Sequence, residues 1–318
     1  MSYAAKPLVS VLIPCYNAER WIAETLQSVL AQTWENIETI VVNDGSTDGS
    51  REVLKQFESD KLRVIDQPNR GQTAALNRCL KEARGGFIQY LDADDLLAPV
   101  KIELQVLRLQ DRPDCIAMAE WGRFRDDPAT TKFVPDVTWQ DMEPVDWLVA
   151  NWREGGGIMY PAMWLLPRKL VEGIGPWKEE LTLINDTEYF TRAVLAARQV
   201  LFCQGARTYY RSGIAGSLSG LKSRKGWESQ FKVIDLCQGY LLAREVSDRT
   251  RRVCTMLWQR FAHASYPYNK SIAIQALERA GKLHPATLVP EGGPAFKLVT
   301  RLVGWKAARI LQRFSGRY

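Results

Sequence analysis

Carboxylates follow two apolar runs of this 318-residue chain, where chemistry is most easily placed. Residues 37–42 lead into Asn43-Asp44-Gly45-Ser46, and residues 87–91 lead into Asp92-Ala93-Asp94-Asp95. In an open parallel sheet, ligands bind beyond the carboxyl ends of the strands. A single Asp at such a place serves well as a helix cap, which would account for Asp44 alone. Three carboxylates within four residues repel one another, and one cap suffices. A divalent cation relieves that repulsion, and hard oxygen ligands suit Mg²⁺ or Mn²⁺. Such an ion usually clamps a phosphate or diphosphate.

The elements that must hold these acids read as alternating strands and helices. Residues 8–13 (L-V-S-V-L-I), 37–42, 62–65 and 87–91 are extended, the first two as short buried runs. Residues 18–32, 51–57, 73–83 and 100–109 have helical spacing. This alternation predicts crossover units and a mainly parallel sheet covered on both faces, an α/β fold. Residues 111–156, rich in Asp, Pro and Trp, carry no clear pattern. Residues 158–166 read as extended, 188–197 as helix, and 200–203 and 207–211 as two strands. Beyond Gly226 the pattern is helical: roughly 227–246, 250–264, 271–280 and 296–314. The Gly/Ser-rich stretch 212–220 marks the expected boundary between an α/β domain to about residue 225 and a helical extension over 226–318.

Composition narrows the chemistry. Hydrophobic residues make up 46% and charged residues 25%, the profile of a globular chain. The two histidines, His263 and His284, are too few for a two-His zinc site or a Ser-His-Asp triad of ordinary construction. Six scattered cysteines without a C-x-x-C pair predict reduced thiols in a cytosolic compartment. The sequence shows no leader-like start and no run of 18 apolar residues. All of the net charge of +6 sits on residues 292–318, which hold six basic side chains and no acid. A neutral body argues against nucleic acid as a partner, whereas a basic tail suits anionic lipid. Phosphate loops of the G-x-x-x-x-G-K-[ST] and G-x-G-x-x-G types are missing, which disfavours nucleotide kinases and dinucleotide oxidoreductases.

Taken together, V-S-V-L-I-P-C-Y-N-A-E, S-V-L-A-Q-T, V-V-N-D-G-S-T-D-G-S, N-R-G-Q-T-A-A-L-N and Y-L-D-A-D-D strongly resemble the family 2 glycosyltransferases. These motifs come in the family's order and cover residues 7–109. The resemblance implies a GT-A fold, a nucleotide-diphosphate sugar donor such as a UDP-sugar, and transfer with inversion. By that resemblance Pro14 and Tyr16 line the nucleotide pocket, Asp44 reads the base, and Asn69 contacts the nucleotide-sugar. Asp92 faces the ribose, Ala93 lies between the two acids of the motif, and Asp94 holds Mn²⁺ or Mg²⁺ on the diphosphate. One departure is Leu76, where many relatives carry Arg before the Asn that is Asn77 here. A donor contact made by that Arg must come from another group in this chain.

The acceptor half, residues 111–225, offers a general base. G-P-W-K-E-E-L-T-L-I-N-D-T-E-Y-F resembles the family segment that ends in Glu-Asp before a helix, with Asn185 replacing Glu and Asp186 aligned with the base. The competing reading has Asp186 as the N-cap of the following helix, and Glu188 is the fallback base. R-T-Y-Y-R-S-G-I-A-G-S-L-S resembles a later segment in which a His often follows Tyr-Arg; that His is absent here. Arg211, Ser217 and Ser219 could replace it on the diphosphate, or Arg211 could simply pair with an acid. Trp147, Trp152, Tyr160, Trp164 and Trp177 crowd this half, where one or two could stack on a sugar.

The expectation is an inverting glycosyltransferase acting on a glycan or polyprenyl-linked acceptor in surface polysaccharide or glycan assembly. Its place would be cytoplasmic, peripheral on the inner face of the membrane. On a helical wheel Phe296, Val299, Val303, Ala307, Ile310 and Phe314 form one apolar arc that would serve that purpose. The alternatives are a metal-dependent phosphotransferase or phosphatase using Asp92/Asp94, and a non-catalytic membrane-peripheral binding protein.

Overall fold

The computed structural model describes residues 6–214 and 223–314. Strands β1 (Val9–Cys15), β2 (Ile37–Asp44), β3 (Leu62–Gln67) and β4 (Phe87–Tyr90) alternate with helices α1 (Ile22–Leu30), α2 (Ser50–Lys55) and α3 (Gln72–Glu82). The four strands are parallel in the order β3-β2-β1-β4, as the crossover pattern predicts. Every residue of β1 is buried, which is why it reads as a largely apolar run without polar alternation. Helix α1 turns Ile22, Leu26 and Val29 inward at helical spacing, leaving its other side polar.

After β5 (Leu96–Leu97) and α4 (Lys101–Leu109), the chain adds β6 (Ile116–Phe124), α5 (Pro144–Trp152), β7 (Trp164–Pro167), α6 (Arg168–Ile174), α7 (Asn185–Ala196) and β8 (Val200–Arg211). Among the described residues the eight strands form one sheet, β3-β2-β1-β4-β7-β6-β8-β5. β7 runs antiparallel to both β4 and β6, while β6 and β8 are parallel. Where two strands were expected at 200–203 and 207–211, one twelve-residue strand forms. The register shifts between Ala119 and Glu120 beside Gly205, whose φ of +82° suits glycine. Glu120 closes this irregularity by accepting from Gly205 N at 2.8 Å and Arg207 Nε at 2.9 Å. Residues 158–166 are not uniformly extended either; a 3₁₀ turn at Pro161–Met163 precedes β7.

Helices α8 (Arg224–Arg244), α9 (Asp248–Ser265) and α10 (Lys270–Leu283) continue the same hydrophobic core through Trp227, Val233, Leu241, Trp258 and Phe261. Ser229 ties α8 to the segment just ahead of α7, its hydroxyl accepting from Thr182 N and Leu183 N. The last helix, α11 (Pro294–Phe314), is broken at Gly304 (φ 78°, ψ 157°), which rotates its two halves relative to each other. The single apolar arc expected from the sequence therefore does not form. Val303 is 56% exposed, while Trp305, which the wheel places on the polar face, packs its ring against His263 and Tyr266. Arg309 is buried too, stacked on Phe296 and donating to the Glu291 carbonyl. Among the described residues no helix is long and apolar enough to cross a membrane.

Candidate active site

The carboxyl ends of β1, β2 and β4 lie along one edge of the sheet, because parallel pairing sets Cys15 beside Asn43 and Leu12 beside Tyr90. Pro14 is buried within β1, and Tyr16 just beyond it is 50% exposed, so Tyr16 is the member of that pair open to a ligand. Asp44 ends β2 at 2% exposure. Its carboxylate accepts from Gln67 Nε2 at 2.7 Å, Arg70 N at 2.9 Å and Gly71 N at 2.8 Å. Asp44 thus builds the loop that leads into α3, and any base-reading contact must share its oxygens with those three donors. Asn69, exposed on that loop, lies against Gly45, where a Cβ would come within 2.7 Å of the Asn69 nitrogen. Gly45 carries a φ of +70°, a second reason for glycine there.

Asp92 and Asp94 are presented by a tight turn after β4, closed by Asp95 N donating to the Asp92 carbonyl at 3.2 Å. The Ala93 carbonyl accepts from Thr25 Oγ1 of α1 at 3.0 Å, which anchors the turn from below. Asp95 points into the protein, fully buried: one oxygen accepts from Arg211 N at 2.8 Å and the other has no hydrogen-bond partner. Burial pushes its pKa well above the carboxylate range, and the charges of Asp94 and Asp92 add to the effect.

Of the two uses open to Arg211 in the sequence, the structure shows the pairing with an acid. Its side chain is 1% exposed and lies between the rings of Trp21 and Phe124. Nε donates to the Asp94 carbonyl at 2.9 Å, and the two terminal nitrogens donate to the Arg125 carbonyl and to Glu24. It is a brace behind the acidic turn, its guanidinium nitrogens each donating to a protein acceptor, and its acid partner Glu24 comes from α1. Ser217 and Ser219 lie outside the described residues.

Asp186 enters from the other half. Helix α7 starts two residues earlier than a cap at 186 would require: Ile184, left-handed at φ 49°, is the N-cap, and Asp186 belongs to the first turn. The capping reading of Asp186 is therefore displaced. Its Oδ1 accepts from Thr187 N at 2.7 Å. Burial lifts its pKa to about 6, against the pull of the Thr187 hydrogen bonds. Asp92 is lifted to about 7, first by burial and then by the charges of Asp94 and Asp186. The charge of Asp186 reaches Asp92, and a hydrogen-bonded path from Asp92 through Gln72 to Asn185 spans the same gap, so the turn after β4 and the start of α7 lie side by side. Such clustered, shifted carboxylates mark functional sites more often than structural ones.

The fallback base does not qualify. Glu188 is 1% exposed, held by both Nε and Nη2 of Arg192 at 2.9 Å and accepting from Tyr240 Oη at 2.8 Å. The five aromatics expected near a sugar are all core: Trp147, Trp152, Trp164, Trp177 and Tyr160 are at most 5% exposed. Trp177 stacks on Tyr189 at 4.0 Å, and Tyr189 shares a hydrogen bond with Tyr90 beneath the site. They form the floor that positions α7. Leu76, where relatives carry Arg, is buried on α3. One residue absent from the expected set enters the site: Gln72, first in α3, donates from Nε2 to Asp92 Oδ1 at 2.9 Å. A polar residue opening a helix directly after a positive-φ glycine was the available signal.

The profile described as Glycosyl transferase family 2 matches residues 10–175, just over half of the chain. Among curated relatives, the putative glycosyltransferase EpsH of Bacillus subtilis is 31% identical over 210 residues, 64% of this chain and 61% of EpsH. The putative teichuronic acid biosynthesis glycosyltransferase TuaG of the same organism is 40% identical over 110 residues, 34% of this chain and 44% of TuaG. The alignments thus span less than two thirds of these relatives. A crystal structure of S. aureus TarS 1–349 in complex with UDP-GlcNAc superposes with a TM-score of 0.72 at 19% identity, covering 98% of this chain and 93% of that one. The likeness to TarS extends through the C-terminal helices and establishes the GT-A architecture expected from the motifs. On the profile match and these motifs, the chain belongs to glycosyl transferase family 2.

Proposed function

We propose that this protein transfers a sugar, with inversion, from a nucleotide-diphosphate donor to a hydroxyl of a glycan or lipid-linked acceptor. The UDP-GlcNAc bound to TarS favours a UDP-sugar, and the names of EpsH and TuaG favour surface-polysaccharide assembly. The observation that carries the reading is the hydrogen-bonded path from Asp92 through Gln72 to Asn185, which brings the turn bearing Asp92 and Asp94 next to the end of α7 that bears Asp186.

Asp186 accepts the proton of the acceptor hydroxyl as its oxygen bonds to the anomeric carbon. The bond from that carbon to the diphosphate oxygen breaks on the opposite face, and the nucleoside diphosphate leaves with the electron pair. A base with a pKa near 6 is deprotonated at neutral pH yet basic enough to share the proton in the transition state. Asp94, with Asp92 beside it, would hold a divalent cation on the diphosphate. The fit rests on two carboxylates set in one tight turn, where burial raises both and the charge of Asp94 raises Asp92 further, a penalty that a cation reverses. No three His, Cys, Asp or Glu groups among the described residues form a metal cage, so the diphosphate oxygens would complete the coordination. Such an ion neutralises the charge that develops on the leaving group.

The thermal-shift response to nucleotide-sugars with Mn²⁺ tests the donor. A true donor at 100 times its dissociation constant adds ~2.7 kcal/mol of stability, a shift of several degrees. Equal responses to every nucleotide and to none would remove the donor reading.

The first half of α11 supports a membrane-peripheral placement. Leu298, Leu302 and Val303 are 59%, 76% and 56% exposed, and Lys297 and Arg301 are exposed among them. Basic groups near an anionic leaflet contribute ~1 kcal/mol each, and the leucines add their apolar surface. The protein is expected to co-sediment with anionic but not neutral liposomes, to be released by high salt, and to lose binding on Leu298→Glu with Leu302→Glu. Both leucines are solvent-exposed, so the fold tolerates the change. Salt-insensitive or absent partitioning would leave α11 as a helix of the extension only.

A further inference from the structure

The donor-side acids and the acceptor-side base stand on segments almost a hundred residues apart, and something must keep them in register. The link is a directed chain of two side-chain amides. Asn185 Nδ2 donates to Gln72 Oε1 at 3.3 Å, and Gln72 Nε2 donates to Asp92 Oδ1 at 2.9 Å. The carboxylate at one end accepts, which orients the Gln72 amide and in turn requires a donor at position 185. Asn supplies it. A Glu at 185, the residue in the family segment that this stretch resembles, would set a second acceptor against Gln72 Oε1. Gln72 and Asn185 are therefore chemically matched to each other. Each also sits where its backbone is fixed: Gln72 is the first residue of α3 after Gly71, and Asn185 is the first of α7, next to Asp186, and only 8% exposed. Among the described residues, no other hydrogen bond joins the Asp92 side chain to a protein donor.

We propose that Gln72 and Asn185 form an amide relay that holds Asp92 and the Asp186-bearing end of α7 at a fixed spacing. Both are positioning residues, since neither is assigned a contact with donor or acceptor. The inference deepens the glycosyltransferase reading and rests on it for its consequence, but the relay itself is testable without any ligand.

Gln72→Met and Asn185→Leu remove the amides at nearly constant volume. In the ligand-free protein, each single variant should lower the urea midpoint, and the double variant should lower it no further than Gln72→Met alone. Additive losses would overturn the relay. Calorimetric titration with UDP and Mn²⁺ gives the functional arm. Gln72→Met should weaken binding about tenfold, the worth of a hydrogen bond to a charged group. Asn185→Leu should weaken it about threefold in the native background and not at all when Gln72 is already Met. A merely structural role for Asn185 predicts the same effect in both backgrounds, which would overturn the proposal. If the unsubstituted protein fails to bind UDP with Mn²⁺, the donor reading falls, and the urea cycle alone decides the relay.

Discussion

Asp186→Asn is expected to slow sugar transfer by ~10²–10⁴-fold while leaving donor affinity nearly unchanged. The substitution keeps the shape and an oxygen for the Thr187 N–H, so α7 should start where it does now. What it removes is the ability to take a proton. The pH dependence follows with a definite sign. As the proposed base, Asp186 must be a carboxylate, and burial lifts its pKa to about 6, so kcat/KM for the acceptor should fall as pH drops through that region. The decline should approach tenfold per pH unit below it, and the residual rate of the variant should lack this limb. Normal turnover in the variant would take the base role away from Asp186. Lost donor binding with intact chemistry would move Asp186 to the donor side. Glu188 is no substitute in either case, because its pairing with Arg192 and Tyr240 leaves it buried and occupied.

The parts of this site that were legible in the sequence share a physical cause. Strands β1 and β2 are buried on both faces, so they appear as largely apolar runs, and Asp44, which ends β2, stands out by contrast. Asp92 and Asp94 could be singled out because carboxylates crowded beside an apolar strand are chemically conspicuous, whereas Asp186 was picked out by its resemblance to the family's Glu-Asp segment. Arg211 could not be assigned from its neighbours in sequence, since Asp94, Asp95, Glu24, Trp21 and Phe124 meet it only in three dimensions. Strand β8 looked like two because Gln204-Gly205-Ala206 interrupts the pattern, whereas a register shift against β6 absorbs the interruption. The tryptophans of the acceptor half look alike in sequence whether they face solvent or core, and here they are core. Gly304 undoes the helical wheel of the tail by a single backbone rotation, since one positive φ changes which side chains share a face. The α8–α10 extension was visible as helices, but its role in supporting Thr182 and Leu183, just ahead of Asp186, emerges only from the Ser229 contact.

Asp94→Asn is expected to abolish metal-dependent donor binding and turnover together, unlike the Asp186 variant. The turn that carries Asp94 is held from three sides: Thr25 on the Ala93 carbonyl, Arg211 on the Asp94 carbonyl, and Arg211 N on Asp95. These contacts use backbone groups or the Asp95 side chain, so the Asp94 carboxylate itself is left for a ligand and its exchange for an amide should not unfold the turn. A cation bridging a carboxylate and a diphosphate supplies several kcal/mol, so the loss should reach ~10²–10³-fold in affinity for UDP with Mn²⁺. Treatment of the native protein with EDTA should produce the same loss, and added Mn²⁺ or Mg²⁺ should restore binding to the native protein but not to the variant. In the variant Asp92 loses a repulsive neighbour, so its own pKa should fall toward the ordinary carboxylate range. A merely electrostatic role for Asp94 would then leave UDP binding intact or improved, because one negative charge fewer faces the diphosphate. The two roles therefore predict opposite signs for the same measurement. Weaker UDP binding that no longer responds to chelator identifies a metal ligand; tighter binding that still does moves the ion to another group.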